Sequence, residues 1–498
     1  MKSCVLVIDR GSTNTKAVLF DELGRELRRA SVPNRQPETP QPGWVEIDLN
    51  QMWKEVCAAI SGLLPLRERV EGIGVVGQGS GLYVTDAAGE PLGPGILSLD
   101  TRTEELVAHW RERGEDRYFE SRTDAPLMPD KPIPLLCWMK QHQPERYRRI
   151  HRILFSKDWI KWKLTGAYSS DFTDASSAGL LDRETDSWFT EGLSRFGVPE
   201  MADKLPPLLA SHCWAGAVTA KAALETGLPP GIPVVSGAHD LQTFPYGIGA
   251  LSAKNLVSVI GTWGTNALPV PEREALPGTF RHLAPGWRVA ARFDGNSGAA
   301  LDHMIGLLCG EDIREAEATG TSVFSLLEPR VERTPKNSVV FLPYLSGSPL
   351  SGGAAAGFYG MRRQHDRYDL MRAVYEGIVF GHYQNILKLP GLDQVTALWL
   401  VGGGARSRLF GPMFASLTGY EVRIADVEEI TARGMALNTW VGAGAYASHE
   451  EACIPAPVKR IYVPEPGERA YYQEKFQRFQ TMWKAMTPVW NAENFWKE

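Results

Sequence analysis

Cysteine is scarce and unpaired in this chain. There are six in 498 residues (Cys4, Cys57, Cys137, Cys213, Cys309 and Cys453), and no two form a C-x-x-C pair. Such spacing provides neither a zinc site nor a disulfide framework, and it suits a reducing compartment. Positive charge is not in excess either. A formal net charge of −5 argues against nucleic-acid or membrane-surface partners, both of which want a basic face. No apolar run approaches the roughly 18 residues of a membrane span, and the first apolar run is broken by Asp9, so it is not a secretory leader. No short-period repeat is visible, which excludes a solenoid. The expectation is a cytoplasmic globular protein. With 43% hydrophobic and 22% charged residues it has a globular composition, and its length calls for two or three domains.

What is present is most informative at the start. Cys4 to Ile8 is an apolar run suited to a buried strand, and it ends in Asp9-Arg10-Gly11-Ser12-Thr13-Asn14-Thr15-Lys16. A second apolar run, Ala17 to Phe20, follows, so a hairpin is predicted. Its turn offers backbone N–H groups and hydroxyls between a carboxylate and a lysine. Such turns cradle phosphate oxygens, and an adjacent Asp suits magnesium; an ordinary edge hairpin with a polar turn is the competing reading. Further along, Asn34 to Gly43 reads as a loop. Asp48 to Gln51 has capping-box spacing before a helix burying Trp53, Val56, Cys57, Ile60 and Leu64. Gly72 to Val76 is a strand delivering Gln78 and Gly79 into a glycine-rich loop. Leu82-Tyr83-Val84 with the turn Asp86–Gly89 predicts another hairpin. Ile96 to Leu99 predicts a strand ending at Asp100 and Arg102, with mostly helix over 104–164. Strands and helices alternate through most of the chain, which indicates α/β architecture.

The plan then restarts. Pro233 to Asp240 is a strand ending on a carboxylate. Leu256 to Ile260 is apolar and feeds Gly261-Thr262-Trp263-Gly264-Thr265, a second strand and Gly/Thr turn. Leu398 to Val401 runs into Gly402-Gly403-Gly404-Ala405-Arg406, where glycine permits close backbone approach to an adenosine. Two such halves facing each other would set both turns across a cleft. Asp240 has two readings: a helix N-cap, or the general base that phosphoryl transfer to an alcohol needs. His239 tunes it or binds substrate, or is structural. Gln78, Asp100 and Arg102 lie near strand ends, where α/β sheets bind ligands; a loop-stabilising Asp–Arg pair is the alternative.

Together these pieces resemble the FGGY carbohydrate kinases. The sharpest match is Ala356-Gly357-Phe358-Tyr359-Gly360-Met361 followed, after seven residues, by Asp369 to Glu376. Asp158 to Gly166, with Asp171, Asp174 and Ala175, is also family-like. The resemblance implies an α/β fold of two actin-like (ribonuclease H-like) domains flanking a central cleft, a sugar domain over 1–246 and a nucleotide domain over 247–498. It implies ATP and Mg2+ as cofactors, Asp9 on the metal, and Gly11, Ser12, Thr13 and Lys16 as the first phosphate motif. Gly261 and Thr262 are then the second, and Gly402, Gly403, Gly404 and Arg406 the adenosine motif. Asp240 is then the catalytic base, with Gln78, Gly79, Asp100 and Asp240 facing the sugar. Arg10 stands where relatives more often carry a small or neutral residue, and two readings follow: it adds a positive charge near the phosphates, or it points away. The Gln78-Gly79-Ser80-Gly81 loop and Trp263 look most like L-xylulose kinases. The implied activity is ATP-dependent phosphorylation of a ketopentose, L-xylulose ahead of D-xylulose, with erythritol-like polyols and gluconate as alternatives. Relatives suggest a homodimer. A non-catalytic nucleotide-binding module and a nucleotide hydrolase are the rivals from other classes.

Overall fold

The computed structural model describes residues 3–274, 278–347 and 353–492. The chain forms two compact units, one of residues 1–251, 270–289 and 429–455, the other of 252–269, 290–428 and 456–498. Among the described residues no helix is long and apolar enough to cross a membrane.

The first unit is built on β1 (Ser3–Arg10), β2 (Asn14–Phe20), β3 (Glu26–Pro33), β4 (Arg69–Gly77), β5 (Trp214–Ala217), β6 (Pro233–Val235) and β7 (Ala238–His239). Their order is β5-β6-β4-β1-β2-β3, with β7 also on β4. β1 pairs antiparallel with β2 and parallel with β4. A strand flanked by parallel and antiparallel neighbours and covered on both faces must be apolar throughout, as Cys4 to Ile8 are. Side chains alternate across it. Cys4, Leu6 and Ile8 join a core with Trp53, Val56, Ile60 and Trp159. Val5 and Val7 join another with Val76, Val235, Tyr246, Met435 and Trp440. Each such aliphatic side chain contributes about 1.5–3 kcal/mol on full burial. The same alternation sends Asp9 toward the second core's side and Arg10 toward helix Leu49–Ser61.

That helix is capped by Asp48, which accepts from Asn50 N and Gln51 N, and it buries Trp53, Val56 and Ile60. Cys57 is only half-buried, and Leu64 lies beyond the helix end at Gly62. Tyr83–Thr85 pairs mainly with Arg152–Leu154 rather than with its own return segment. The strand expected over Ile96–Leu99 is only Gly95–Ile96. Leu97 N is taken by Val45 O and Asp100 N by Leu97 O, so the chain turns away from the sheet there.

The second unit repeats the opening. β8 (Asn255–Ile260) pairs antiparallel with β9 (Gly264–Pro271), and parallel with β11 (Ala397–Val401). β10 (Trp287–Asp294) flanks β9, β12 (Glu421–Ala425) flanks β11, and β13 (Val458–Tyr462) closes the edge. Thus β8 is placed as β1 is, between a hairpin partner and a parallel strand. Helix Arg367–Ile386 opens with a capping box in which Asp366 and Asp369 satisfy each other's backbone N–H groups.

Candidate active site

In the first unit three strands end together. Asp9 is level with Val76, and Arg10 and His239 are both level with Gly77. Asp9, Gln78 and Asp240 therefore leave the sheet at one carboxyl edge, where open α/β sheets bind ligands. Asp9 is buried. Desolvation lifts its carboxyl to about 7, against the pull of Lys16 and with a further push from Glu429 and Asp240. Lys16 Nζ lies 2.6 Å from Glu429, which also pairs with Arg29 at 3.1 Å.

The turn between β1 and β2 is held from behind. Asn34 Nδ2 donates to the carbonyls of Gly11 (2.8 Å) and Ser12 (3.1 Å), and Asn34 N to that of Thr13 (2.8 Å). Gly11 N donates across the turn to Asn14 O (3.1 Å), and with three carbonyls drawn inward the exposed Ser12 and Thr13 are left with N–H and hydroxyl groups, the polarity an anion needs. Asn34 Oδ1 accepts from Thr15 Oγ1 (2.8 Å), which accepts from Arg10 Nη1 (2.9 Å). Arg10 is buried and paired with Glu55 at 3.1 Å. It thus points away from the turn's outer face and braces it.

Asp240 begins helix Asp240–Gly247, whose N-cap is His239, and it makes no capping hydrogen bond. Its carboxylate is 42% exposed, with Oδ1 3.1 Å from His239 Nε2. Among the described residues no hydrogen-bond partner holds its other oxygen. His239 Nδ1 is 2.9 Å from Ser177 Oγ, and His239 N donates to Thr173 Oγ1 at 2.9 Å. Thr173 is tied to Asp171 (2.6 Å), part of a fully buried charge cluster. In that cluster Lys157 Nζ meets Asp158 (2.7 Å), Asp171 (3.0 Å) and Asp174 (2.9 Å). Lys161 adds a second cation, 3.0 Å from Asp158, against the three carboxylates; burial lifts Asp174 to about 6, and the cluster fixes the base of the His239 loop.

Gly79 lies against this site: a Cβ there would stand 2.8 Å from His239 Nε2 and 2.9 Å from Asp174 Oδ1. Asp100 lies elsewhere in character. It is buried, and its oxygens accept from Val45 N (2.7 Å) and from Arg102 Nε (2.8 Å) and Nη2 (2.7 Å). Arg102 in turn stacks 3.9 Å from the Trp44 ring centre. The carboxylate of Asp100 thus closes a loop with Arg102.

In the second unit, Gly261 and Thr262 form the turn between β8 and β9. Their carbonyls accept from Gly298 N (2.7 Å) and Ala299 N (3.2 Å), at the start of helix Gly298–Leu308. Trp263 is exposed beside them. Gly402 has φ +85°, and a Cβ there would stand 2.8 Å from Ile260 O, so the triglycine turn abuts the end of β8. Gly403 has open space around it, and Arg406 is exposed. Asn34, Ser177 and Glu429 are the site neighbours that sequence reasoning missed. Glu429 lies 413 residues from Lys16, and no local pattern points to it.

Residues 4–245 match the N-terminal domain of the FGGY family of carbohydrate kinases, and residues 256–443 match its C-terminal domain. The chain is 32% identical over 497 residues to the L-xylulose/3-keto-L-gulonate kinase of Escherichia coli, covering 97% of each. It is 30% identical over 491 residues to a probable L-xylulose kinase of Pasteurella multocida, covering 97% of this chain and 98% of that one. Among solved structures, a xyloylose kinase from Brucella ovis superposes with TM-score 0.86 at 27% identity, over 98% of this chain and 100% of that chain. A gluconate kinase from Lactobacillus acidophilus, at 21% identity and TM-score 0.88 over 98% and 99%, shares the fold.

Proposed function

This chain belongs to the FGGY family of carbohydrate kinases, and we propose that it moves the γ-phosphoryl group of ATP to a hydroxyl of a ketopentose, L-xylulose first and D-xylulose next. The observation that carries this reading is Asp240. It sits at a strand end, half exposed, free of capping duty, with one oxygen held by His239 and the other unheld. A binding module has no use for such a carboxylate; a general base does. The relatives' names, L-xylulose/3-keto-L-gulonate kinase and probable L-xylulose kinase, support the acceptor, as does the Gln78-Gly79-Ser80-Gly81 loop.

Asp240 takes the proton of the sugar hydroxyl, and that oxygen attacks the γ-phosphorus in line. The bond from phosphorus to the β–γ bridging oxygen breaks, and ADP leaves. Gln78 and the Gly79 backbone orient the sugar, while Asp100 holds its loop through Arg102. In the first unit, Gly11, Ser12, Thr13 and Lys16 take phosphate oxygens. In the second, Gly261 and Thr262 do the same, and Gly402, Gly403, Gly404 and Arg406 take the nucleoside. Sugar binding is assigned to residues 1–246 and nucleotide binding to 247–498. The enzyme acts in the cytoplasm, as a homodimer.

Asp9 fits magnesium. Among the described residues no group of three side chains suits a metal. Magnesium, however, takes one or two carboxylates and completes its shell with phosphates and water. A buried carboxylate crowded by two other acids is the kind a divalent cation stabilises. When bound, the ion would neutralise charge on the phosphates.

The test is ATP consumption by the purified protein with magnesium across pentuloses, hexuloses, polyols and aldonates. Acceptor-dependent turnover that vanishes in Asp240→Asn is expected. Turnover indifferent to every acceptor would instead mark a hydrolase.

A further inference from the structure

Asp9 and Lys16 lie directly opposite one another in the β1–β2 pair. Side chains of such partners share a face of the sheet, with Cβ atoms about 4.5–5.5 Å apart, and opposite charges so placed attract. Here they do not join. Lys16 Nζ lies instead 2.6 Å from Glu429 Oε2. Asp9 is only 8% exposed, and Lys16 acts on it by charge alone, with no hydrogen bond between them. Among the described residues Asp9 has no ion-pair partner, while Lys16 has Glu429.

The fold sets Glu429 over this pair. Residues 429–455 return to the first unit. There helix Ile430–Gly442 packs Met435, Ala436 and Leu437 with Val5, Val7, Val18 and Phe20. Asp9 and Lys16 rise on that same face, since side chains alternate along a strand. Glu429 is the N-cap of the helix, yet its side chain makes no capping hydrogen bond. Cations hold both of its oxygens instead, Oε2 by Lys16 and Oε1 by Arg29 Nη1 at 3.1 Å. Arg29 stands opposite Val18 and shares the face. Gripped from β2 and from β3, the carboxylate of Glu429 is fixed, and the ammonium it holds is kept off Asp9.

We propose that Glu429 is a positioning residue that draws Lys16 off its cross-strand partner, so that the Asp9 carboxylate stays open to a divalent cation. The proposal rests on the reading of Asp9 as the residue that takes magnesium. A carboxylate in a charge-assisted pair with an ammonium would have to shed that partner before it met a metal. Glu429→Gln keeps the shape of the side chain and removes its charge. Lys16 then turns to the carboxylate opposite it and closes on it.

The experiment titrates the whole chain with Mn2+ alone, without nucleotide or sugar, and follows binding by water-proton relaxation. The Asp9 site is the component of binding that Asp9→Asn removes. Glu429→Gln should weaken that component about tenfold or more, the scale on which partners of metal-binding residues act. Adding Lys16→Met to Glu429→Gln should recover most of the loss, because no ammonium remains to close on Asp9. A variant that had lost its fold would regain nothing from a second substitution. A crystal structure of Glu429→Gln should place Lys16 Nζ within about 3 Å of an Asp9 oxygen. Parent-like Mn2+ binding by Glu429→Gln overturns the proposal, and so does a double variant that binds no better than the single one. Failure of the underlying reading shows differently: Mn2+ binding by the parent that Asp9→Asn leaves intact removes Asp9 as the metal residue, and the proposal with it.

Discussion

His239 Nε2 stands 3.1 Å from Asp240 Oδ1, and the opposite ring nitrogen of His239 stands 2.9 Å from Ser177 Oγ. The ring is thus fixed at both ends and pins one oxygen of the carboxylate, leaving the other to face an acceptor. Burial opposes a charged ring here, but the Asp240 carboxylate, by charge and hydrogen bond and with help from Asp174, carries the His239 pKa upward. His239→Gln, which retains a donor but no charge, should lower kcat about 10- to 100-fold, below the full worth of a general base, and leave the KM for ATP unchanged. The sign of the stability effect follows from the raised pKa. The ion pair contributes fully below the unfolded value of about 6.5 and fades as pH rises through the folded one. Urea unfolding of parent and variant should therefore differ most in mildly acid solution and converge at alkaline pH. A gap that widens with pH would sink the idea.

Gly79 is required by packing rather than by backbone freedom. A methyl group there would press on His239 Cδ2 and Nε2, both at 2.8 Å, and on Asp174 Oδ1 at 2.9 Å. Gly79→Ala should push the imidazole off Asp240. The expected result is a loss of kcat similar to that of His239→Gln, and little further loss when the two changes are combined, since they break one contact. Steady-state rates of the two single variants and the double variant decide this; additive losses would disprove the coupling.

How much of this was legible beforehand depends on how local the signal is. The hairpins at Gly11–Asn14 and Gly261–Gly264, the strand–triglycine unit and the strand end at Asp240 were readable, because continuous apolar runs punctuated by glycine leave little choice. The Asp366–Asp369 box, within the stretch that most resembles the family, proves to be helix capping. The strand at Ile96–Leu99 was misread because an apolar run alone does not report where its N–H groups go. Asp100 was readable as near a strand end, yet only the fold shows both its oxygens engaged, Oδ2 by Val45 N and Arg102 Nη2 and Oδ1 by Arg102 Nε. Glu429 reaches Lys16 from the far end of the chain, and pairing at such separation has no periodicity to betray it.

Arg10 follows Asp9 in sequence but serves the opposite face of β1. Its guanidinium joins Glu55 at 3.1 Å and Thr15 at 2.9 Å, and through Thr15 it reaches Asn34 and the turn. Removing one partner of a buried pair costs about 3–5 kcal/mol. Arg10→Met should therefore lower the melting temperature by several degrees and raise the KM for ATP, since the turn it braces loosens. Arg10→Lys should recover little, because a point ammonium does not provide the guanidinium's fork to both Thr15 and Glu55. Thermal unfolding and ATP titration of the two variants test this. A lysine variant equal to the parent would show that charge alone suffices.

The first unit also carries three histidines outside the proposed site, His282 and His449 buried and His212 half-buried, and they set its acid limit. His212 and His449 lie with ring centres 4.9 Å apart, and Tyr246 stands 5.9 Å from His449 and 6.1 Å from His282. Burial lowers the His449 pKa to about 4, with His212 adding to the effect, and lowers His282 to about 3, with His449 adding. His282 Nδ1 accepts the Ala284 N–H at 2.9 Å, so protonation there would destroy a hydrogen bond as well as bury a charge. In the window between those values and about 6.5, the unfolded chain binds protons that the folded chain refuses. Stability must then rise with pH across the window and fall as acid is added. His449→Gln keeps a donor for Asn438, which now accepts from Nε2 at 3.0 Å, but it cannot titrate. Urea midpoints of the parent should drop steeply from pH 6.5 to pH 4, by several kcal/mol in free energy. Those of the glutamine variant should drop less. Equal slopes in the two proteins would mean that carboxylates alone set the acid limit.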